Sequence, residues 1–253
     1  MYVCTFSLNE ENLLSALSKA SHRGVDVRVM FETGVAPTGT RTKVDVENSL
    51  LHLKFIAIDG ERALIGSANF TQNSLKNSLN DILLVEDPLI VSELADLFES
   101  LWDGEVKQIF IEHDDLKLVN SHLEDLLLEE LSKADKTVDI AMYALTHPKV
   151  WAMLKILASR NVKIRLLVDR WFLNSSSLKN MPKSRLELRV LEPITLHTKL
   201  FIIDRRVVIS GSANATKSGY TRNAELMMIL KRKDLVKEYI DFFERIWQEG
   251  VEP

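Results

Sequence analysis

The chain holds one cysteine, Cys4, in 253 residues. That excludes an intramolecular disulfide and any thiolate cluster around a metal, and a lone cysteine in an apolar run reads as a small buried side chain. Long apolar stretches are missing as well: none reaches the ~20 residues that a membrane-spanning helix needs. The N-terminal stretch MYVCTFSLNEEN lacks the basic start and extended apolar run of a secretory signal, so a cytoplasmic location is expected. Basic residues are not in excess, with 32 Lys and Arg against 36 Asp and Glu, a net charge of −4 and a pI of about 5.9. No global field draws a polyanion to such a protein, although a local basic cleft stays compatible with it. The 46% of apolar residues is enough to build a sizeable core in one large domain or two ordinary ones.

What is present is a repeat. HLKFIAIDGERALIGSAN (52–69) and HTKLFIIDRRVVISGSAN (197–214) keep His, Lys, Asp, Gly-Ser and Asn in register, 145 positions apart. The similarity spreads outward from this frame. At an offset of 137, VCTFSL (3–8) lies over IAMYAL (140–145), and RGVDVRVMFE (23–32) over RNVKIRLLVD (160–169). LFESLW (97–102) lies over FFERIW (242–247) at the offset of 145, so each half closes on a helix whose Phe98 and Trp102, or Phe243 and Trp247, pack onto a sheet.

Each half reads strand, helix, strand, loop, a strand pair bearing the motif, another strand and a closing helix. Leu13, Leu14, Leu17 and Ala20 keep helical spacing after Asn9, the expected N-cap, and Leu154, Leu157 and Ala158 do likewise. VRVMF and IRLLV read as buried strands. The expected fold is therefore α/β: two similar halves, 1–110 and 111–253, with mixed β-sheets flanked by helices and related by a pseudo-two-fold axis. A helix over about Leu116 to Lys133 is expected before the first strand of the second half only. Met1 falls practically inside the equivalent strand of the first half, so that half either dispenses with the helix or begins late.

The frame carries chemistry. A two-residue turn at 60–61 predicts a hairpin with His52 opposite Asn69, and one at 205–206 sets His197 opposite Asn214. Alternation puts His52 and Lys54 on one strand face, and His197 and Lys199 on another. With Ser67 and Ser212 as hydroxyl donors, and Asn69 and Asn214 as amides, each half assembles donors suited to a tetrahedral anion. Two facing histidines can divide an in-line displacement at phosphorus, one attacking and one protonating the leaving oxygen. A nucleophilic imidazole needs its tautomer set, and two acids precede matched strands: Asp81, 29 residues after His52, and Glu225, 28 after His197. His22, His113, His122 and His147 show no ligand spacing and read as surface or capping residues. KRK (231–233) reads as a solvated approach to a helix.

The pattern H-x-K, four residues, D, six residues, G-S-x-N, occurring twice, resembles the HKD motif of the phospholipase D superfamily. The resemblance implies a metal-independent phosphodiesterase or phosphatidyltransferase, with no cofactor, whose two motifs meet in one active site. It further implies His52 as nucleophile, His197 as acid, and structural roles for the motif acids Asp59 and Asp204. Asp81 stands where many members of the superfamily have Glu. With both motifs in one chain, a monomer is expected. The same phosphate clamp serves phospholipids and nucleic acids. Only about 20 residues separate Glu32 from His52, and 28 separate Asp169 from His197, which leaves little material for a deep lipid pocket and favours an open cleft. A phosphate-binding module without turnover is the remaining class.

Overall fold

The computed structural model describes residues 1–46, 49–105, 107–182 and 184–253. The first half builds strands β1 (Tyr2–Leu8), β2 (Arg28–Gly34), β3 (Arg41–Val44), β4 (Lys54–Ile58), β5 (Arg62–Gly66), β6 (Ser78–Leu79) and β7 (Ile82–Val85), with helices α1 (Glu11–His22), α2 (Gln72–Lys76) and α3 (Pro88–Trp102). The chain continues through β8 (Phe110–His113), β9 (Leu116–Val119), α4 (Leu123–Ser132), β10 (Thr137–Met142), α5 (Pro148–Ser159), β11 (Lys163–Asp169) and β12 (Leu186–Leu191). It ends with β13 (Thr195–Leu196), β14 (Lys199–Ile203), β15 (Val207–Gly211), α6 (Lys217–Thr221), β16 (Met227–Leu230) and α7 (Lys233–Glu249).

One sheet runs β3-β2-β1-β4-β5-β7 and the other β12-β11-β10-β14-β15-β16-β9-β8, so the six repeated strands keep one order in both. Among those six, three parallel strands adjoin three antiparallel ones, and β9 and β8 extend the antiparallel side of the second sheet. The central parallel pair of each sheet, β1–β2 and β10–β11, is joined through a crossover helix, α1 in one half and α5 in the other. The expected α/β fold with two mixed, helix-flanked sheets is observed. A shared core gathers α3, α7 and the facing sides of both sheets, including Leu53, Ile65, Phe98, Leu200, Leu226 and Phe243. Separate clusters pack α1 under the first sheet, and α4 and α5 under the second. Phe98 stacks on Trp102, and Phe243 on Trp247, at centroid distances of 5.6 and 5.7 Å.

Three local expectations are corrected. The helix over Leu116–Lys133 is shorter: Leu116–Val119 is strand β9, which covers the edge of β16 with Met228 opposite Leu118. Asp114 and Asp115, both in the left-handed region, make the two-residue turn of a β8–β9 hairpin (φ 48° and 61°). The N-cap of α1 is Glu10, whose carboxylate accepts from Leu13 N–H at 2.7 Å, while Asn9 Oδ1 instead accepts from Gln72 N–H at 3.2 Å. The motif hairpins slip by one residue: Ile58 pairs with Arg62 and Ile203 with Val207, which leaves three-residue loops. Left-handed backbone at Asp59 and Gly60, and at Asp204 and Arg205, sets these loops. The ladders run from Phe55–Ile65 and from Phe201–Ile209, so neither reaches the His and Asn expected to face each other.

Candidate active site

Each motif histidine hangs on the opposite half. β6 and β13 pair in parallel, Leu79 with Leu196, and Leu51 bridges Ala224. His52 N–H donates to Ala224 O at 2.9 Å, and His197 N–H to Leu79 O at 2.8 Å. A matched acid secures the residue before each histidine: Leu51 N–H donates to half-buried Glu32, and Leu196 N–H to buried Asp169. The sequence aligned Glu32 with Asp169, but their role emerges only from the folded chain.

The side chains cross over in the same way. His52 Nδ1 lies 2.9 Å from the Glu225 carboxylate, which comes from the other half. His197 Nδ1 lies 2.8 Å from Oδ1 of Asn80, again across the axis. Asn80 Nδ2 donates to Ser74 O at 2.8 Å, which turns Oδ1 toward the histidine. Both imidazoles are thus driven to the tautomer with a proton on Nδ1 and a free lone pair on Nε2.

Asp81 does not orient a histidine. Its carboxylate accepts from the hydroxyls of Thr198, Ser210 and Tyr239, at 2.6, 2.5 and 3.0 Å. The sequence offers the correct partner at the motif's own offset of 145, because Asn80 stands over Glu225.

Ser67 and Ser212 also differ from expectation. Both are fully buried, and their hydroxyls donate to Asn80 Oδ1 and to the Glu225 carboxylate. Each also accepts a backbone N–H, from Asp81 at 3.0 Å and from Leu226 at 2.9 Å. Their protons are engaged in holding the orienting residues, so they stand behind the histidines. Gly66 and Gly211 permit this approach: a Cβ on either would lie 2.1 or 2.2 Å from the carbonyl oxygen of Asp81 or Leu226. Asn69 and Asn214 present a matched pair of buried Oδ1 atoms with no partner among the described residues. Asp204 accepts backbone N–H groups of Asp135, Lys136 and Thr137, which tie its turn to the start of β10 and hold its carboxyl low against burial. Asp59 occupies the equivalent turn.

Lys54 and Lys199 are almost wholly buried, and each ammonium reaches the carbonyl of its own motif histidine. Burial pulls Lys54 down to about 7, and burial with the charge of Lys54 carries Lys199 well below the ordinary lysine value. His197 is lowered to about 2 by burial, Lys199 and Lys54. His52 is lowered by burial and Lys54, with Glu225 opposing. Burial would raise the Glu225 carboxyl, but His52 and Lys54 bring it below its usual range. The charges of both halves act on one another, as a shared site requires. Phe6 and Tyr143, equivalent at the offset of 137, set a ring edge-on to His52 and His197 at 5.7 and 5.2 Å.

The family profile described as cardiolipin synthase, PLD-like domain, matches residues 1–102 and 127–247. The chain belongs to the phospholipase D-like family. It is similar to the human mitochondrial cardiolipin hydrolase, 30% identical over 126 residues that make up 49% of this chain and 50% of that protein. It is also similar to a phospholipase D of Rickettsia conorii, 28% identical over 117 residues, 45% of this chain and 58% of that one. The matched segments thus span little more than half the length of these curated relatives. In three dimensions the chain superposes on the polyphosphate kinase of Porphyromonas gingivalis with a TM-score of 0.72 at 17% identity, over 96% of this chain and 42% of that one. That match shows a shared fold.

The other four histidines lie outside this cluster. His113 meets Asp87 and Asp114 in a surface groove, where Asp87 also caps α3. His147 stands at the N-cap position of α5 as one of the expected surface or capping residues, without a side-chain cap bond, and is buried with Nε2 2.9 Å from Glu124. Among the described residues, no helix is long and apolar enough to cross a membrane.

Proposed function

We propose that the protein hydrolyses phosphodiesters through a covalent phosphohistidine on His52, with His197 as general acid and then general base. One observation carries the division of labour: a carboxylate, Glu225, backs His52, whereas a neutral amide, Asn80, backs His197. Attack by Nε2 on phosphorus leaves positive charge on the ring, and a carboxylate at Nδ1 stabilises that charge where an amide does not. As the N–P bond forms and the P–O bond breaks, the His197 imidazolium gives its Nε2 proton to the leaving oxygen. His197 then takes a proton from water, whose oxygen attacks phosphorus and frees His52. The products are an alcohol and a phosphomonoester.

Lys54, Lys199, Asn69 and Asn214 face the phosphoryl oxygens in this reading. The lysine charges supply the electrostatic stabilisation, so no step calls for a metal. Suppression of His197 by the two lysines supports substrate-assisted protonation, because a diester anion between them offsets the charge that keeps the imidazole neutral. The names of the relatives support a phospholipid diester as substrate, while the mouth of the site favours a nucleic-acid strand.

The test is turnover of bis(p-nitrophenyl) phosphate in EDTA. Wild type is expected to release nitrophenol, and His52→Ala and His197→Ala to lose about 10² to 10⁴ in rate. An inert wild type, or variants as active as wild type, would overturn the assignment and leave a phosphate-binding module.

A further inference from the structure

The ring beside each histidine is common to the two halves, but the residues beyond it differ. On the second half Tyr143 continues into Trp171, with ring centroids 5.0 Å apart, so a line of rings runs from His197 to solvent. Trp171 is 45% exposed, while Trp151 and Trp247 are buried. Its turn is braced by Asp169, whose two oxygens accept from Trp171 N–H at 3.0 Å and from Leu196 N–H at 2.8 Å, one residue before His197. The backbone of Trp171 is therefore held by the same acid that holds the histidine strand.

The first half is closed to such a wall. At the offset of 137 Trp171 lies over Gly34, where a Cβ would sit 2.0 Å from Leu8 O and the backbone is left-handed (φ 137°). No side chain fits there. The aromatic wall is confined to the side of the acid, which is the side of the leaving group.

Charge follows the same geography. Four segments around the site, 70–80, 143–147, 170–182 and 212–224, contain no acidic residue in a chain of net charge −4, whereas the first-half segments after β1 and β2 carry Glu10 and Asp45. They carry Lys179, Lys217 and Arg222, together with Arg170, which pairs with Glu192, and Lys76, which lies 3.9 Å from Glu10. A single diester is satisfied by the buried lysine pair. Basic residues spread beyond it suit a strand with further phosphates, and an exposed ring one step from the reacting phosphate suits an unpaired base.

We propose that Trp171, backed by Tyr143, stacks the base on the leaving-group side of the scissile phosphate, and that the substrate is single-stranded nucleic acid. The inference rests on the phosphodiesterase reading above. A duplex does not serve, because its bases are already stacked on one another.

The experiment compares wild type, Trp171→Ala and Trp171→Phe on a twelve-residue oligothymidylate and on the same backbone with abasic sugars. Trp171→Ala is expected to lower kcat/KM on the oligothymidylate by about five- to a hundredfold, the range of one base on one ring. Trp171→Phe should keep most of it, and cleavage of the abasic strand should not change. Equal effects on both strands, or none on either, would overturn the stacking role. Hydrolysis of phosphatidylglycerol vesicles by a wild type that leaves the oligomer intact would overturn the substrate class. Turnover of bis(p-nitrophenyl) phosphate by wild type reads the chemistry separately, so its failure is told apart from failure of the wall. Binding gives a readout without turnover: in His52→Ala, oligothymidylate should quench an indole emission that His52→Ala/Trp171→Phe lacks. Absence of that quenching would also overturn the wall.

Discussion

At the scale of the residue, the two histidines share one backbone setting and differ in the group behind them. Replacing Glu225 with Gln removes the charge and keeps the shape, and kcat on a small diester is expected to fall by roughly ten- to a hundredfold. Replacing Asn80 with Asp acts in the opposite sense, since a carboxylate favours the protonated imidazole. The His197 pKa should rise from about 2, read by NMR titration of the ring protons. Lys54 gives a pH limit that can be checked in the free enzyme. With a pKa of about 7 it loses its charge above neutrality, so kcat/KM for a diester should decline as pH rises through 7. A profile flat to pH 9 would show that the charge of Lys54 does not contribute to capture of the anion.

At the scale of the element, the interface between the halves contains one contact in two versions. Asp81 of the first half receives the hydroxyls of Thr198, Ser210 and Tyr239 of the second. At the offset of 145 the same positions are Leu226 against Leu53, Ile65 and Leu94, all within the shared core. One side of the axis is closed by a satisfied polar cluster and the other by apolar packing. Asp81→Leu alone strands three buried hydroxyls and should cost about 2–5 kcal/mol in urea unfolding. Adding Thr198→Leu, Ser210→Ile and Tyr239→Leu copies the apolar version, and should restore roughly half or more of that loss. The cluster also grips Thr198, between His197 and Lys199, so the single variant should lose activity before it loses its fold.

At the scale of the whole molecule, two lysines converge on one buried point, where burial and their mutual repulsion disfavour the charged forms. The sign of the pH dependence comes from Lys54, whose folded pKa of about 7 lies below the ordinary lysine value of 10.5. The unfolded chain holds the extra proton between those values, so the cost is complete below pH 7 and changes as pH rises: above 7 the folded lysine is neutral while the unfolded one stays charged, and the difference closes only past 10.5. Lys54→Met removes that penalty, so it should raise Tm at pH 6 by more than at pH 8 to 9. Tungstate, a tetrahedral anion, should raise the Tm of wild type and not that of Lys54→Met. Calorimetry at pH 7 should show proton uptake on tungstate binding, seen as a dependence of the heat on the buffer. Insensitivity of the heat to the buffer would show that neither lysine titrates with the anion.

Periodicity, and a frame copied at fixed spacing, were enough to read the repeat, the order of the main elements along each half, and the matched His, Lys and Asn that the fold gathers. They could not establish which groups lie behind the histidines. His52 and Glu225 are 173 residues apart, and His197 and Asn80 are 117 apart, so their pairing exists only once β6 and β13 join the halves. The hairpin register turned on left-handed backbone at Asp59 and Asp204, and β9 was read as helix because the edge it covers is formed by a strand far along the chain. Local spacing records what repeats. The asymmetry that sets a carboxylate behind one histidine and an amide behind the other, and a line of rings on one side only, is decided by which residues the pseudo-two-fold packing brings together, because a contact across that axis leaves no periodic trace in either segment.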